Sequence, residues 1–155
     1  MKKVVFSLLS VALASSVAVV ASASESTTNA VIKPQAIFLD REPNNKRADA
    51  NLFVIADGSQ ISGSLGRDDA ADWFKFTPLT SGKYRFIFSH SSSQYYELTL
   101  RGDGVGTVAT ITYDNPNKYF DVTVDAGRDY YIAVESVLTN LNADTSYDIY
   151  TVKID

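Results

Sequence analysis

Cysteine is absent from the 155 residues, and histidine, tryptophan and methionine occur once each. The missing cysteines exclude a disulfide scaffold, a thiolate zinc site, an iron–sulfur site, a cysteine nucleophile and a lipid anchor on Cys. A single histidine excludes any site that needs two, which removes the usual catalytic zinc sets. Basic residues are too few for a broad nucleic-acid surface: 14 Lys and Arg stand against 18 Asp and Glu. No Gly-x-Ser-x-Gly elbow occurs. Gly102-Asp103-Gly104-Val105-Gly106 has the glycines of a phosphate loop but neither the Lys-Ser/Thr nor a following helix, and it reads as a hairpin. A sustained apolar repeat at helical spacing is also lacking beyond the N-terminal segment.

What is present is a chain 45% apolar and 21% charged, the balance of a globular domain. It begins with Met1-Lys2-Lys3. An apolar run from Val4 to Val20 follows, broken only by serines, and then the small residues Ala21-Ser22-Ala23. These are the three parts of a secretory signal. The run is shorter than the ~20 residues of a bilayer span, and no basic stop-transfer cluster follows it. Residues 1–23 are therefore expected to be a signal peptide cleaved after Ala23, with Ala21 as the alternative. Removing Lys2 and Lys3 takes the net charge from −4 to −6. Residues 24–35 are small and polar and read as a flexible leader. Secretion or periplasmic residence places the protein where free calcium is plentiful.

From Ala36 onward short alternating runs are separated by Gly, Asn, Asp and Pro. Strands are expected over 52–56, 60–65, 72–77, 82–89, 94–101, 107–113, 118–125, 129–136 and 146–154. One helical turn is expected within Asn45 to Asn51. In the run from Gly82 to Phe88, Tyr84, Phe86 and Phe88 share one face and Lys83 and Arg85 the other. Phe120, Val122 and Val124 alternate in the same way with Asp121, Thr123 and Asp125. Period two with one greasy face means antiparallel sheets that are wet outside. Many such strands argue for an all-β, two-sheet antiparallel β-sandwich of jelly-roll type. Asp57-Gly58, Ser81-Gly82, Gly102-Asp103-Gly104 and Ala126-Gly127 are expected to close hairpins.

Nucleophilic catalysis has one candidate base. His90 sits among Ser89, Ser91, Ser92 and Ser93, but neighbours on an extended strand point apart. It is expected to be a surface histidine at the end of strand 82–89, entering a Ser-rich turn. Paired carboxylates are abundant, so a small carboxylate-dependent hydrolase is the enzymatic alternative. A short sandwich leaves little room for a deep cleft, and the chain is expected not to be an enzyme.

The oxygen-rich stretches are more informative. Asp40, Glu42 and Asn44 alternate, which places three oxygen donors on one side of an extended segment. Asp69 and Asp72, three apart in a turn that enters a strand, can converge on one point. Calcium wants six to eight hard oxygens, so the two stretches together suit it. Asp and Asn also build turns and keep them wet, and spacing alone does not separate the two readings.

The stretch from Glu42 to Phe76 resembles the bacterial pre-peptidase C-terminal domain family, which is related to the collagen-binding domains of clostridial collagenases. The resemblance rests on Glu42-Pro43-Asn44-Asn45, Ala48-Asp49-Ala50-Asn51, Ile61-Ser62-Gly63-Ser64-Leu65 and the run from Asp68 to Phe76. Ala126 to Val134 looks like the family's penultimate strand and Tyr147 to Val152 its last. The match covers about Asp40 to Asp155. The resemblance implies a jelly-roll sandwich that accompanies secreted proteases without being a hydrolase. It also implies calcium held by Asp40, Glu42, Asn44, Asn45, Ser64 through its carbonyl, Asp69 and Asp72. Asn45 stands where relatives have a carboxylate, which lowers the charge of the site. The segment from Asn45 to Ser64 aligns as slightly longer, so Asp68 can take the place of Asp69. Collagen binding is not carried over.

The expected function is a secreted, non-catalytic, calcium-binding module spanning 36–155. The alternative is a module that binds an extracellular polymer, protein or polysaccharide, through surface aromatics. Tyr95, Tyr113, Tyr119, Tyr130 and Tyr150 are the candidates, although strand tyrosines more often pack across strands. Expected partners are an extracellular protein or polysaccharide, or a secreted protease; no nucleic acid and no membrane span are expected.

Overall fold

The computed structural model describes residues 36–69, 71–91, 94–137 and 145–154. The signal peptide and leader expected over 1–35 lie outside the described residues. All of the described residues belong to the compact unit Val31–Asp155.

Ten strands follow one another: β1 Ala36–Leu39, β2 Asn51–Leu52, β3 Ser59–Leu65, β4 Ala71–Phe76, β5 Gly82–His90, β6 Tyr96–Gly102, β7 Gly106–Ile111, β8 Tyr119–Val124, β9 Tyr130–Ser136 and β10 Thr145–Ile154. A single 3-10 turn, Arg47–Asp49, falls within the stretch expected to be helical. The strands form two five-stranded sheets, ordered β1-β3-β10-β5-β8 and β2-β4-β9-β6-β7. The last eight strands on their own give the orders β3-β10-β5-β8 and β4-β9-β6-β7. This is the double Greek key of a jelly roll. Among the described residues no helix is long and apolar enough to cross a membrane.

The expected all-β, two-sheet antiparallel sandwich of jelly-roll type is what the structure has, with two short edge strands added in parallel, β1 on β3 and β2 on β4. The chain lays β1 on one sheet and β2 on the other before β3 begins, and a connection of that length is what a parallel pair requires. One expectation is corrected: three of the four expected hairpins are not hairpins. Only Gly102-Asp103-Gly104 returns the chain to a neighbouring strand, joining β6 to β7. Asp57-Gly58, Ser81-Gly82 and Ala126-Gly127 each carry it to the opposite sheet. Turn chemistry marks a reversal of direction but does not encode which sheet receives the next strand.

Alternation sets the core. Phe86 and Phe88 of β5 are buried with Tyr84, and Val122 and Val124 of β8 lie on the same inner side. Lys83, Arg85 and Asp121 face outward, and Arg85 pairs with Asp121 across strands. Inside, Phe53, Phe76, Tyr130 and Phe86 pack ring against ring at 4.9 to 6.0 Å. A second aromatic group lies toward the end of the sandwich where β4 begins. There Tyr147 meets Phe88 at 6.1 Å and Tyr96 edge-on at 6.4 Å. Burying such rings supplies most of the stabilisation of a chain with no covalent cross-links.

Candidate metal centre

The centre lies where β1 ends and β4 begins. The Asp40 N–H donates to the Ser62 carbonyl, continuing the parallel pairing of β1 one residue past the strand. The chain then turns through Arg41 to Asn44. The Asn51 side chain holds the turn, accepting from Arg41 N at 2.7 Å and donating to Arg41 O at 2.9 Å. At its far end the Asn44 carbonyl accepts from Trp73 N at 3.0 Å, so the strap is tied to β3 at one end and to β4 at the other. The β3–β4 turn is closed by reciprocal backbone bonds between Gly66 and Asp69. That bridge brings Asp69 back over the strap, and the next inward residue of β4 is Asp72.

Asp40, Glu42, Asp69 and Asp72 each offer a carboxylate oxygen, and the four oxygens lie within 4.8 Å of one another. Oxygens around one calcium ion at ~2.4 Å span at most about this distance. Asn44 is fully buried beside them. Its Nδ2 donates to Asp40 Oδ1 at 2.6 Å, and its N–H to Glu42 Oε2 at 3.1 Å. Asp72, also fully buried, accepts at Oδ2 from the Tyr147 hydroxyl at 2.5 Å. Asn44 Oδ1, Asp69 Oδ1 and Asp72 Oδ1 are buried with no hydrogen-bond partner. An open cavity of about 310 Å³ lies above, lined by Asp40, Glu42, Ser64 and Asp69.

Burial and mutual repulsion distort the titration of these acids. Desolvation, with the Glu42 charge second, raises Asp40 above its ordinary value. Desolvation and the Glu42 carboxyl push Asp69 up to about 7. Burial pushes Asp72 up to about 8 against the pull of the Tyr147 hydroxyl, and the other three carboxylates add to the rise. Without a cation, each close pair of charges costs about 3 kcal/mol at an effective dielectric near 20.

A pH dependence follows. The folded pKa values of Asp69 and Asp72 lie above the unfolded value near 3.8, so the metal-free fold binds protons more tightly than the unfolded chain. The stability this contributes is complete below about pH 4 and is lost as pH rises through about 7 and 8. The metal-free protein is therefore expected to melt at a higher temperature at about pH 5.5 than at about pH 8.5. Asp121 and Asp129, held below the ordinary value by Arg85 and Lys75, work the other way only near and below pH 4, and His90, lowered by burial, works the other way below about pH 6.5 as one group against two. Calorimetric melting in chelator checks this, and a melting temperature that rises steadily over the window contradicts it.

The structure brings together Asp40, Glu42, Asn44, Asp69 and Asp72 of the seven residues singled out. Ser64 lines the same cavity, and the contact it makes to Asp40 is through its backbone N–H. Asn45 is half-buried, next to Asn44 in the strap. Asp68 is exposed at the cavity rim, while Asp69 sits within the four. The sequence marks Tyr147 only as the start of the expected last strand, yet its hydroxyl donates to Asp72 Oδ2. Gly63, directly paired with Tyr147, makes room for that ring: a Cβ there would lie 2.4 Å from its hydroxyl oxygen. A lone glycine amid Ile61, Ser62, Ser64 and Leu65 was the available signal.

Two other expectations change. His90 is half-buried rather than on the open surface. Its ring packs on Phe88 at 4.7 Å and Tyr96 at 5.6 Å, Nδ1 lies 2.9 Å from the Ser91 carbonyl, and burial lowers its pKa. The alternation that buries Phe88 carries His90 to the same inner side. Of the tyrosines, Tyr95, Tyr113 and Tyr119 are exposed, Tyr150 is half-buried, and Tyr130 is buried with its hydroxyl accepting from Asp125 N. Tyr95 and Tyr113 pack on each other at 5.3 Å, and Tyr119 is covered by Arg85.

The molecule is thus a jelly-roll sandwich with an acidic cluster, suited to a metal ion, at one end. No protein-family model matches the sequence, and no curated protein does. Among solved structures it is similar to the pre-peptidase C-terminal domain of collagenase from Bacillus anthracis. The TM-score is 0.56 at 16% identity, covering 72% of this chain and 99% of that one. It is also similar to Aeromonas hydrophila PliG, a periplasmic lysozyme inhibitor of g-type lysozyme. There the TM-score is 0.50 at 8% identity, covering 76% of this chain and 99% of that one. At such identities the likeness is one of fold.

Proposed function

We propose that the protein is a secreted, non-catalytic β-sandwich module that binds calcium and uses the ion to fasten the Asp40–Asn44 strap to the β3–β4 turn. The observation that carries this reading is the convergence of four carboxylates within 4.8 Å, around buried oxygens that have no other partner. Asp40, Glu42, Asn44, Asp69 and Asp72 are the core of the ligand set, with the Ser64 carbonyl and Asn45 as the remaining protein donors. All are hard oxygens, and the sole histidine is not among them, which favours calcium over zinc. Magnesium demands a tighter octahedron and gives up its waters reluctantly.

A binding role without catalysis is supported by what surrounds the candidate base. Nδ1 of His90 faces the Ser91 carbonyl and its ring lies against Phe88, the surroundings of a packing residue. Secretion rests on the N-terminal signal and on the open calcium-rich compartment such a site requires.

Isothermal titration with calcium tests the reading. Saturable binding is expected with a Kd on the order of 10⁻⁴ M, as in extracellular modules, and with magnesium at least about tenfold weaker. The absence of calcium binding in the millimolar range removes the metal function and leaves only the fold.

A further inference from the structure

The end of the sandwich opposite the metal centre holds a pocket of about 480 Å³. Two crossings between the sheets frame it. Residues 53–57 carry the chain from β2 to β3, and residues 77–80 carry it from β4 to β5. Phe53, Ile55, Pro78 and Tyr84 are buried and form its depth. Val54, 63% exposed, and Leu79, 93% exposed, stand at its mouth. Asp57, also exposed, is the one charged residue lining it. An apolar hollow of this kind gains free energy by burying a further apolar group.

The chain ahead of β1 supplies such a group within reach. β1 starts at Ala36, which is registered with Ser59. Ser59 N donates to the Ala56 carbonyl at 3.3 Å, closing a turn that leads back to the pocket wall. Ala56 therefore lies within about 12 Å of Ala36. Residues 24–30 are small or polar; Val31 and Ile32 follow them, then Lys33 and Pro34. Ile32 stands four residues before Ala36, a span of up to about 14 Å in extended chain. Pro34 biases Lys33 toward extended backbone. Lys33 is also the one basic residue between Lys3 and Arg41.

We propose that this pocket receives the chain's own leader: Val31 and Ile32 fill it, and Lys33 pairs with Asp57 at its mouth. Segment and pocket agree in apolar character, in charge and in reach. A partner protein or a lipid matches the apolar walls as well, but only the leader arrives tethered beside them, at an effective concentration on the order of millimolar. Docking fixes β1 at both ends, by the leader ahead of Ala36 and by the metal strap after Leu39. A four-residue edge strand paired on one side only gains most from two such anchors.

The chain has no cysteine, so disulfide trapping in the full chain reads the contact directly. Ile32→Cys combined with Leu79→Cys is compared with Ile32→Cys combined with Gln60→Cys under one mild oxidant. Gln60 is registered with Ile37, so it lies beside the leader's anchor but outside the pocket. The disulfide at position 79 is expected to form at least about tenfold faster. Lys33→Asp is expected to slow it about threefold. In the chain without cysteines, Ile32→Asp is expected to lower the melting temperature by about 3 to 6 °C. Thr28→Asp, the same charge in the polar part of the leader, is expected to leave it unchanged. Melting of the reduced cysteine variants shows that they fold. Equal rates at the two positions, or a faster disulfide at position 60, overturn the proposal and leave the pocket to another occupant. So does an Ile32→Asp variant that melts like Thr28→Asp.

Discussion

Calcium at about a hundred times its Kd is expected to raise the melting temperature by roughly 8 to 11 °C over that in chelator. The size follows from mass action. A ligand that binds only the folded form stabilises it by about 2.7 kcal/mol at that ratio, and a domain of this length shifts by about 3 to 4 °C per kcal/mol. The physical source is local. In the metal-free state, Asp40, Glu42, Asp69 and Asp72 repel one another within 4.8 Å and two of them hold protons near neutral pH. An ion replaces those protons, relieves the repulsion and satisfies the unpartnered oxygens of Asn44 and Asp72. Asp72→Ala is expected to abolish the shift. Because that change also strips Tyr147 of its partner, Asp69→Asn, nearer the cavity mouth, serves as the second variant and is expected to cut the shift by at least half. Superimposable melting curves for the wild type in calcium and in chelator would refute the account.

Gly63→Ala is expected to lower the melting temperature in chelator by about 3 to 12 °C, the range for ~1–3 kcal/mol of overpacking. It is also expected to weaken calcium binding by tenfold or more. A methyl group at position 63 would stand 2.4 Å from the Tyr147 hydroxyl oxygen and 2.6 Å from Cζ. The ring is hemmed by Phe88 and Tyr96, so it yields only by disturbing the core. Moving it takes the hydroxyl away from Asp72, which then loses the bond that sets the direction of its other oxygen. Tyr147→Phe separates the two effects: it keeps the ring and removes the bond, so it is expected to weaken calcium binding with a smaller change in melting. A Gly63→Ala protein that binds calcium like the wild type would show that the position of the Tyr147 ring does not govern the site.

The sequence carried most of the strands because their faces alternate cleanly. Tyr84, Phe86 and Phe88 against Lys83 and Arg85 leave only one register in which both core and surface are satisfied. β1 was not legible: Ala36-Ile37-Phe38-Leu39 has no alternation, and two of its apolar side chains face water. The stretch from 52 to 56 holds only the second residue of β2. After it the chain leaves the sheet and Phe53 and Ile55 turn in to line the core, a choice made by tertiary packing. Of the site, the acids were legible from their spacing and from a family resemblance. Tyr147 was not, because a tyrosine in a strand is ordinarily a packing residue, and only the fold shows that its hydroxyl reaches Asp72. Nor can spacing alone distinguish Asp68 from Asp69; that depends on the Gly66–Asp69 bridge.

The place of β10 has a consequence for how the molecule is made. β10 lies at the centre of its sheet, hydrogen-bonded to β3 on one side and β5 on the other. Until it arrives, those two strands have no shared neighbour, and the inner wall lacks Tyr147 and Ile149. Among the described strands only β6 pairs with its immediate successor in the chain, β7. Assembly is therefore governed by long loop closures and is slow, on the order of milliseconds to seconds. A polypeptide emerging with its N-terminus first cannot lock its earlier segments into place. It stays open until β10 is free, the state in which a chain can be threaded through a narrow passage.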